Sequence, residues 1–182
     1  MHQWSDHVVR WNYPKWPIAL RSKGCSFIGR PIPEREEMKR IMQANDTTRQ
    51  LCDIDFTPGF GKGAGSFEYL TKFLGDSKIV LNPTGNSVEC IRLGEMTRLG
   101  TVPAMLDNKD APYLHAAYAP LPGIYGSNWE EVFAKILFFV NDEQEEELQR
   151  LSDAVFDWSE KYIACSRDDM TYILSHAFSL SR

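Results

Sequence analysis

Residues 78–106, KIVLNPTGNSVECIRLGEMTRLGTVPAML, decide the fold. Residues 78–82 are short, apolar and β-branched, the composition of a buried strand. Pro83-Thr84-Gly85-Asn86-Ser87 breaks that strand with turn chemistry. Asn86 followed by Glu89 has the N-cap and N3 spacing of a capping box, so a helix begins here. The helix runs to about Leu99, where Gly100 supplies a left-handed C-terminal residue. Residues 101–106 form a second apolar strand, with Pro103 near its start or at a sheet edge. Strand, turn, helix and strand within about thirty residues make a βαβ unit, which implies a parallel sheet.

At about 100° per residue, Cys90, Leu93, Gly94 and Thr97 fall on one side of that helix, mostly small, as close packing on a sheet requires. Glu89, Arg92 and Glu95 sweep across the other side. The turn before the helix, with Gly85, Asn86 and Ser87, offers backbone N–H groups at a positive dipole end, an anion site. Arg92 adds a fork of donors suited to a diphosphate. Glu95, a turn further on, is placed to accept from two vicinal ribose hydroxyls. The alternative is a ladder of solvated i,i+3 ion pairs through Glu89, Arg92 and Glu95.

This segment resembles the nucleotide-sugar-binding half of exostosin-like glycosyltransferases. Members of that family show a strand ending in Pro-x-Gly, then an Arg two or three residues before a Glu. A small or glycine-containing turn and an apolar strand with a central proline follow. The matching residues are Leu81-Asn82-Pro83-Thr84-Gly85, Arg92-Leu93-Gly94-Glu95 and Leu99-Gly100-Thr101-Val102-Pro103. Upstream, Ser26-Phe27-Ile28-Gly29 is similar to the family strand that precedes an Arg-containing helix, here with Arg35. Tyr69-Leu70 ahead of Ser77-Lys78 also matches, so the likeness runs from about Phe27 to Lys135. It implies a Rossmann-like α/β domain: a parallel sheet flanked by helices, one half of a two-domain glycosyltransferase fold, with C-terminal helices.

The resemblance also implies the chemistry: transfer of a sugar from a nucleoside diphosphate, UDP by expectation, to a glycan or other hydroxyl acceptor. Gly85, Asn86 and Ser87 would present backbone donors to the diphosphate. Arg92 would neutralise charge as the sugar–phosphate bond breaks, and Glu95 would hold the ribose. Glu89 would touch the sugar or orient Arg92. Retaining enzymes of this architecture often carry an acid eight residues before the ribose Glu. Ser87 stands there instead, which favours inversion. Gly94 replaces a commonly bulky family residue.

Composition narrows the remaining options. The chain has 182 residues, 43% of them hydrophobic, enough for one core. A net charge of −5 and no long basic run argue against nucleic acid as the partner. Cys25, Cys52, Cys90 and Cys165 form no CxxC pair. A Cys25–Cys52 bridge stays open, and Cys90 reads as a small buried hydrophobe. No HxH or HExxH pattern occurs, and no required metal or other cofactor is expected. No signal peptide or membrane segment is read here. Exostosin-like enzymes face the Golgi lumen from a membrane anchor, so this chain is expected to be a soluble relative or part of a longer protein. The acceptor site and catalytic base would come from another domain or a partner chain.

Elsewhere, residues 1–24 read as an aromatic, proline-rich segment ahead of a domain over 25–182. A helix is expected over 34–44, a strand over 51–56 and a helix over 66–74. The intervening loop Gly59-Phe60-Gly61-Lys62-Gly63-Ala64-Gly65 lacks Walker spacing, leaving Lys62 a secondary phosphate candidate. Residues 120–126 read as loop, Ser127 with Glu130 as a second capping box, and 128–140 as a core-facing helix. An acidic start at 142–147 opens a helix through Tyr162, and 168–180 form a last one. Two other classes remain beside the glycosyltransferase: a non-catalytic binding or scaffold module, and a small α/β enzyme using the 59–65 loop for a phosphorylated ligand.

Overall fold

Strands buried on both faces need helices on both sides, and the apolar runs of this chain are of that kind. A computed structural model describes residues 15–58, 68–84, 91–107 and 120–179, with side chains as far as Tyr162. Five strands run through it: β1 (Lys23–Gly29), β2 (Cys52–Phe56), β3 (Ser77–Leu81), β4 (Val102–Leu106) and β5 (Ile124–Gly126). All pair in parallel, in the order β2-β1-β3-β4-β5. The helices are α1 (Pro33–Gln43), α2 (Asp46–Leu51), α3 (Ile91–Arg98), α4 (Trp129–Val140) and α5 (Glu145–Ser179), with a π-helix at Tyr69–Gly75.

Alternation along each strand divides the core in two. Cys25, Phe27, Ile79, Leu81, Val102, Ala104 and Ile124 face Met38 and Met42 of α1 and Trp129, Val132, Phe133 and Ile136 of α4. Val80 and Met105 face the other way, against Leu70 and Leu74 of the π-helix and Leu93 and Met96 of α3. The chain is therefore a three-layer, Rossmann-like α/β domain.

The βαβ unit forms as its sequence predicts, with the expected start of its helix, at Asn86, outside the described residues. Gly100 has φ +64°. Thr101 N–H donates to Met96 O at 2.9 Å and Gly100 N–H to Thr97 O at 3.0 Å, the paired bonds of a Schellman ending. Pro103 is the second residue of an internal strand. Ala104 O accepts from Asn82 N–H at 2.8 Å on the β3 side. Pro103 therefore turns its donor-less nitrogen toward β5, whose pairing begins only at Ile124 opposite Ala104.

Several expectations are corrected. Residues 124–126 are not loop but the edge strand β5, too short and too close to Gly123 to betray itself. The cap of α4 is Asn128, whose side chain accepts from Glu131 N–H at 2.8 Å, not Ser127. Glu131, not Glu130, reaches back, accepting from both the N–H and the hydroxyl of Ser127 at 2.8 Å. The two predicted C-terminal helices are one, because nothing between Tyr162 and Asp168 breaks a helix. Helix α2, unforeseen, is capped by Asn45, which accepts from Thr47 and Thr48 N–H. Gly94 lies not on the packing face but exposed, with nothing within 4 Å of the Cβ it lacks; Met96 is buried instead. Strand β1 begins at Lys23, and Ile18 sits in the core.

A bridge joins Cys25 to Cys52, direct register partners on β1 and β2. It ties the edge strand to the sheet. Closing a 27-residue separation is worth about 3.5 kcal/mol in the chain-entropy account. At the amino end of the sheet, Arg21 is 3% exposed and bonded all round. Its guanidinium donates to Trp16 O twice, to Ser77 O at 2.9 Å, to Thr101 Oγ1 at 2.7 Å and to Leu99 O at 2.8 Å. Burial pulls its pKa down to about 10, offset in part by the charge of Asp76. Replacing Arg21 by Met strands several buried carbonyls, so chemical denaturation should show a loss of about 3 kcal/mol or more. A loss below about 1 kcal/mol would mean these bonds contribute little net stability.

Candidate functional site

Ligands of open parallel sheets bind outside the carboxyl ends of the strands, where the strand order reverses direction. Here that point lies between β1 and β3, since the chain steps outward to β2 and then back across β1 to β3. Three elements converge on it: the end of β1, the chain leaving β3, and α3 arriving from the opposite face.

Phe27, near the carboxyl end of β1, is the floor. The Arg92 guanidinium carbon lies 4.8 Å from its ring centroid and that of Arg35 lies 5.4 Å away. Arg92 Nη2 donates to Ile28 O at 2.9 Å, so α3 sends this side chain over the end of the sheet to β1. Arg35 Nη1 donates to Arg30 O at 2.9 Å and Nη2 to Thr84 O at 3.2 Å. Gly29 leaves the space for this convergence. A Cβ there would stand 2.9 Å from Phe27 Cζ, 3.2 Å from Arg92 Nη2 and 3.4 Å from Arg35 Nη1. Two guanidiniums share one aromatic ring, whose face attracts each by roughly 0.5–2 kcal/mol.

Glu95 lies one turn along from Arg92 and is 8% exposed. It has no hydrogen-bond partner among the described residues. Burial raises its carboxyl to about 7, and the positive charge of Arg92 offsets this only in part. The solvated ladder is thus ruled out for Arg92 and Glu95: one is bonded to the sheet, the other buried. Of the predicted site residues the structure brings together Arg92 and Glu95. Gly85, Asn86, Ser87, Glu89 and Lys62, with the rest of the 59–65 loop, lie outside the described residues.

The family model for the RXYLT1 C-terminal domain matches residues 15–179. The chain belongs to that family, and so to the exostosin-like glycosyltransferases. No curated protein matches it. The RXYLT1 C-terminal domain match spans the whole described fold, from the residues before β1 to the end of α5. Among the described residues no helix is long and apolar enough to cross a membrane.

Sequence reasoning named Arg35 only through the family likeness, and did not single out Phe27, Gly29 or Glu34 as a group. Their proximity depends on parallel pairing across dozens of residues, which no local pattern encodes.

The buried carboxyl sets a pH signature. A Glu whose pKa is higher folded than unfolded binds a proton on folding. The associated stability is complete below the ordinary value of 4.5 and is lost as pH rises through about 7. Denaturant titrations of wild type should therefore fall by up to roughly 3 kcal/mol between about pH 5 and pH 8 relative to Glu95→Gln. Parallel profiles for the two proteins would show that Glu95 ionises normally.

Proposed function

We propose that this domain is the donor-binding part of a glycosyltransferase that moves a sugar from a nucleoside diphosphate, UDP by preference, to a glycan or other hydroxyl acceptor. The observation that carries this reading is the pair of guanidiniums, Arg92 and Arg35, gathered on Phe27 at the β1/β3 switch point. Two like charges held side by side favour a multiply charged anion, and the planar guanidinium fork can donate to two oxygens of a diphosphate at once.

In this reading the donor diphosphate lies at the carboxyl end of β1 and β3, against the backbone donors of Gly85, Asn86 and Ser87. Arg92 meets the charge that accumulates on the diphosphate as the bond to the anomeric carbon breaks, a stabilisation greatest in the transition state. The acceptor hydroxyl attacks the opposite face of that carbon, inverting it, and loses its proton to a base on another domain or chain. Glu95 accepts from the ribose hydroxyls, and Glu89 orients Arg92 or touches the sugar. No metal is assigned to the reaction, because arginine charge and backbone donors supply the leaving-group stabilisation.

The Cys25–Cys52 bridge suits an oxidising compartment, in keeping with the Golgi lumen in which such transferases work.

Calorimetric titration of UDP, with GDP as control, into wild type and Arg92→Ala tests the reading. UDP should bind wild type more tightly than GDP, and the variant should lose about 1.5–3 kcal/mol of binding, the worth of hydrogen bonds to a charged group. Absence of binding to either nucleotide, or equal affinity in the variant, would favour a non-catalytic scaffold module.

A further inference from the structure

Glu34 and Arg35 are neighbours on the first turn of α1, yet both reach a single residue far along the chain. Glu34 Oε1 accepts from Thr84 N–H at 3.1 Å, and Arg35 Nη2 donates to Thr84 O at 3.2 Å. These bonds fix the peptide planes on either side of Thr84. Because peptide planes are rigid, fixing both sets φ and ψ of the residue between them. Thr84 is itself exposed and follows Pro83 where the chain leaves β3.

The clasp is anchored at its other end. Arg35 is 9% exposed, packed on Phe27 and bonded to Arg30 O. Pro33 opens the helix, and the acids Glu34 and Glu36 occupy its first turn, where negative charge is favoured. Glu34 is half-buried, so its contact to Thr84 contributes little to the core.

We propose that Glu34 and Arg35 form a clasp that sets the direction in which the chain leaves β3, and that Glu34 is thereby a positioning residue for diphosphate binding. The assignment rests on the donor-site reading. It carries an electrostatic signature of its own. A carboxylate beside an anion site repels the ligand, so simple removal of that charge would tighten binding. Removal of the clasp weakens it.

The test compares wild type, Glu34→Ala and Glu34→Gln in the full chain. UDP affinity is measured by calorimetry, and exchange of the Thr84 amide by NMR. Glutamine keeps an acceptor for Thr84 N–H and discards the charge; alanine discards both. The expected result is a UDP affinity about 3- to 10-fold weaker for Glu34→Ala, the worth of one ordinary hydrogen bond. Thr84 exchange should speed up, while Glu34→Gln binds at least as tightly as wild type. If Glu34→Ala binds as well as wild type or better, or Glu34→Gln is as weak as Glu34→Ala, the assignment is overturned and the donor site stands. If wild type binds no UDP, the donor-site reading falls and the assignment with it.

Discussion

The arrangement hangs on a guanidinium buried without a carboxylate bonded to it. Arg21 lies under the amino end of the sheet and is held by carbonyl groups of Trp16, Ser77 and Leu99 and the hydroxyl of Thr101. Those acceptors belong to the lead-in to β1, the start of β3, the end of α3 and the start of β4. Leu99 O lies at the negative end of the α3 dipole, where a cation is favoured. Ser152 of α5 donates to Gly100 O at 2.6 Å, adding a second clamp at the same helix end. With that end fixed, the other end of α3 lies at the carboxyl end of the strands, and Arg92 reaches Ile28.

Charge is thus divided between the two ends of the strands. At the amino end a single arginine is saturated by its surroundings and serves the fold. At the carboxyl end two arginines share Phe27, and a nearby carboxyl is held close to neutrality by burial. Folding stability alone gives no reason to gather like charges or to bury Glu95. Such arrangements occur where a ligand supplies the compensating charge and hydrogen bonds. The proposed donor-site reading draws on both this geometry and the family membership.

Local patterns carried much of this into the sequence. The βαβ unit was legible because β-branched runs, a turn cluster and Gly100 punctuate it within one short stretch. Arg92 and Glu95 were legible through their spacing and the family motif. Strand β5 was not, since three residues beside Gly123 make no alternation to read. The α4 cap was read one residue early because Ser127 and Asn128 both suit it, and only the folded geometry chooses Asn128. The gap between two expected C-terminal helices was drawn where no proline or glycine stands. Arg21, the Cys25–Cys52 pairing and the Glu34–Thr84 contact are products of strand order. They link residues 27 to 80 positions apart, beyond any local period.

The central claim is that the carboxyl end of the sheet, at the β1/β3 crossover, receives a nucleoside diphosphate. Amide chemical shifts recorded while UDP is added to the isotope-labelled chain test it most directly. The account predicts that the largest changes fall on Ile28, Gly29, Asn82, Thr84 and Arg92, while Arg21, Ser77 and Thr101 at the opposite end stay still. Changes confined to the opposite end, or absent throughout at saturating UDP, would contradict it.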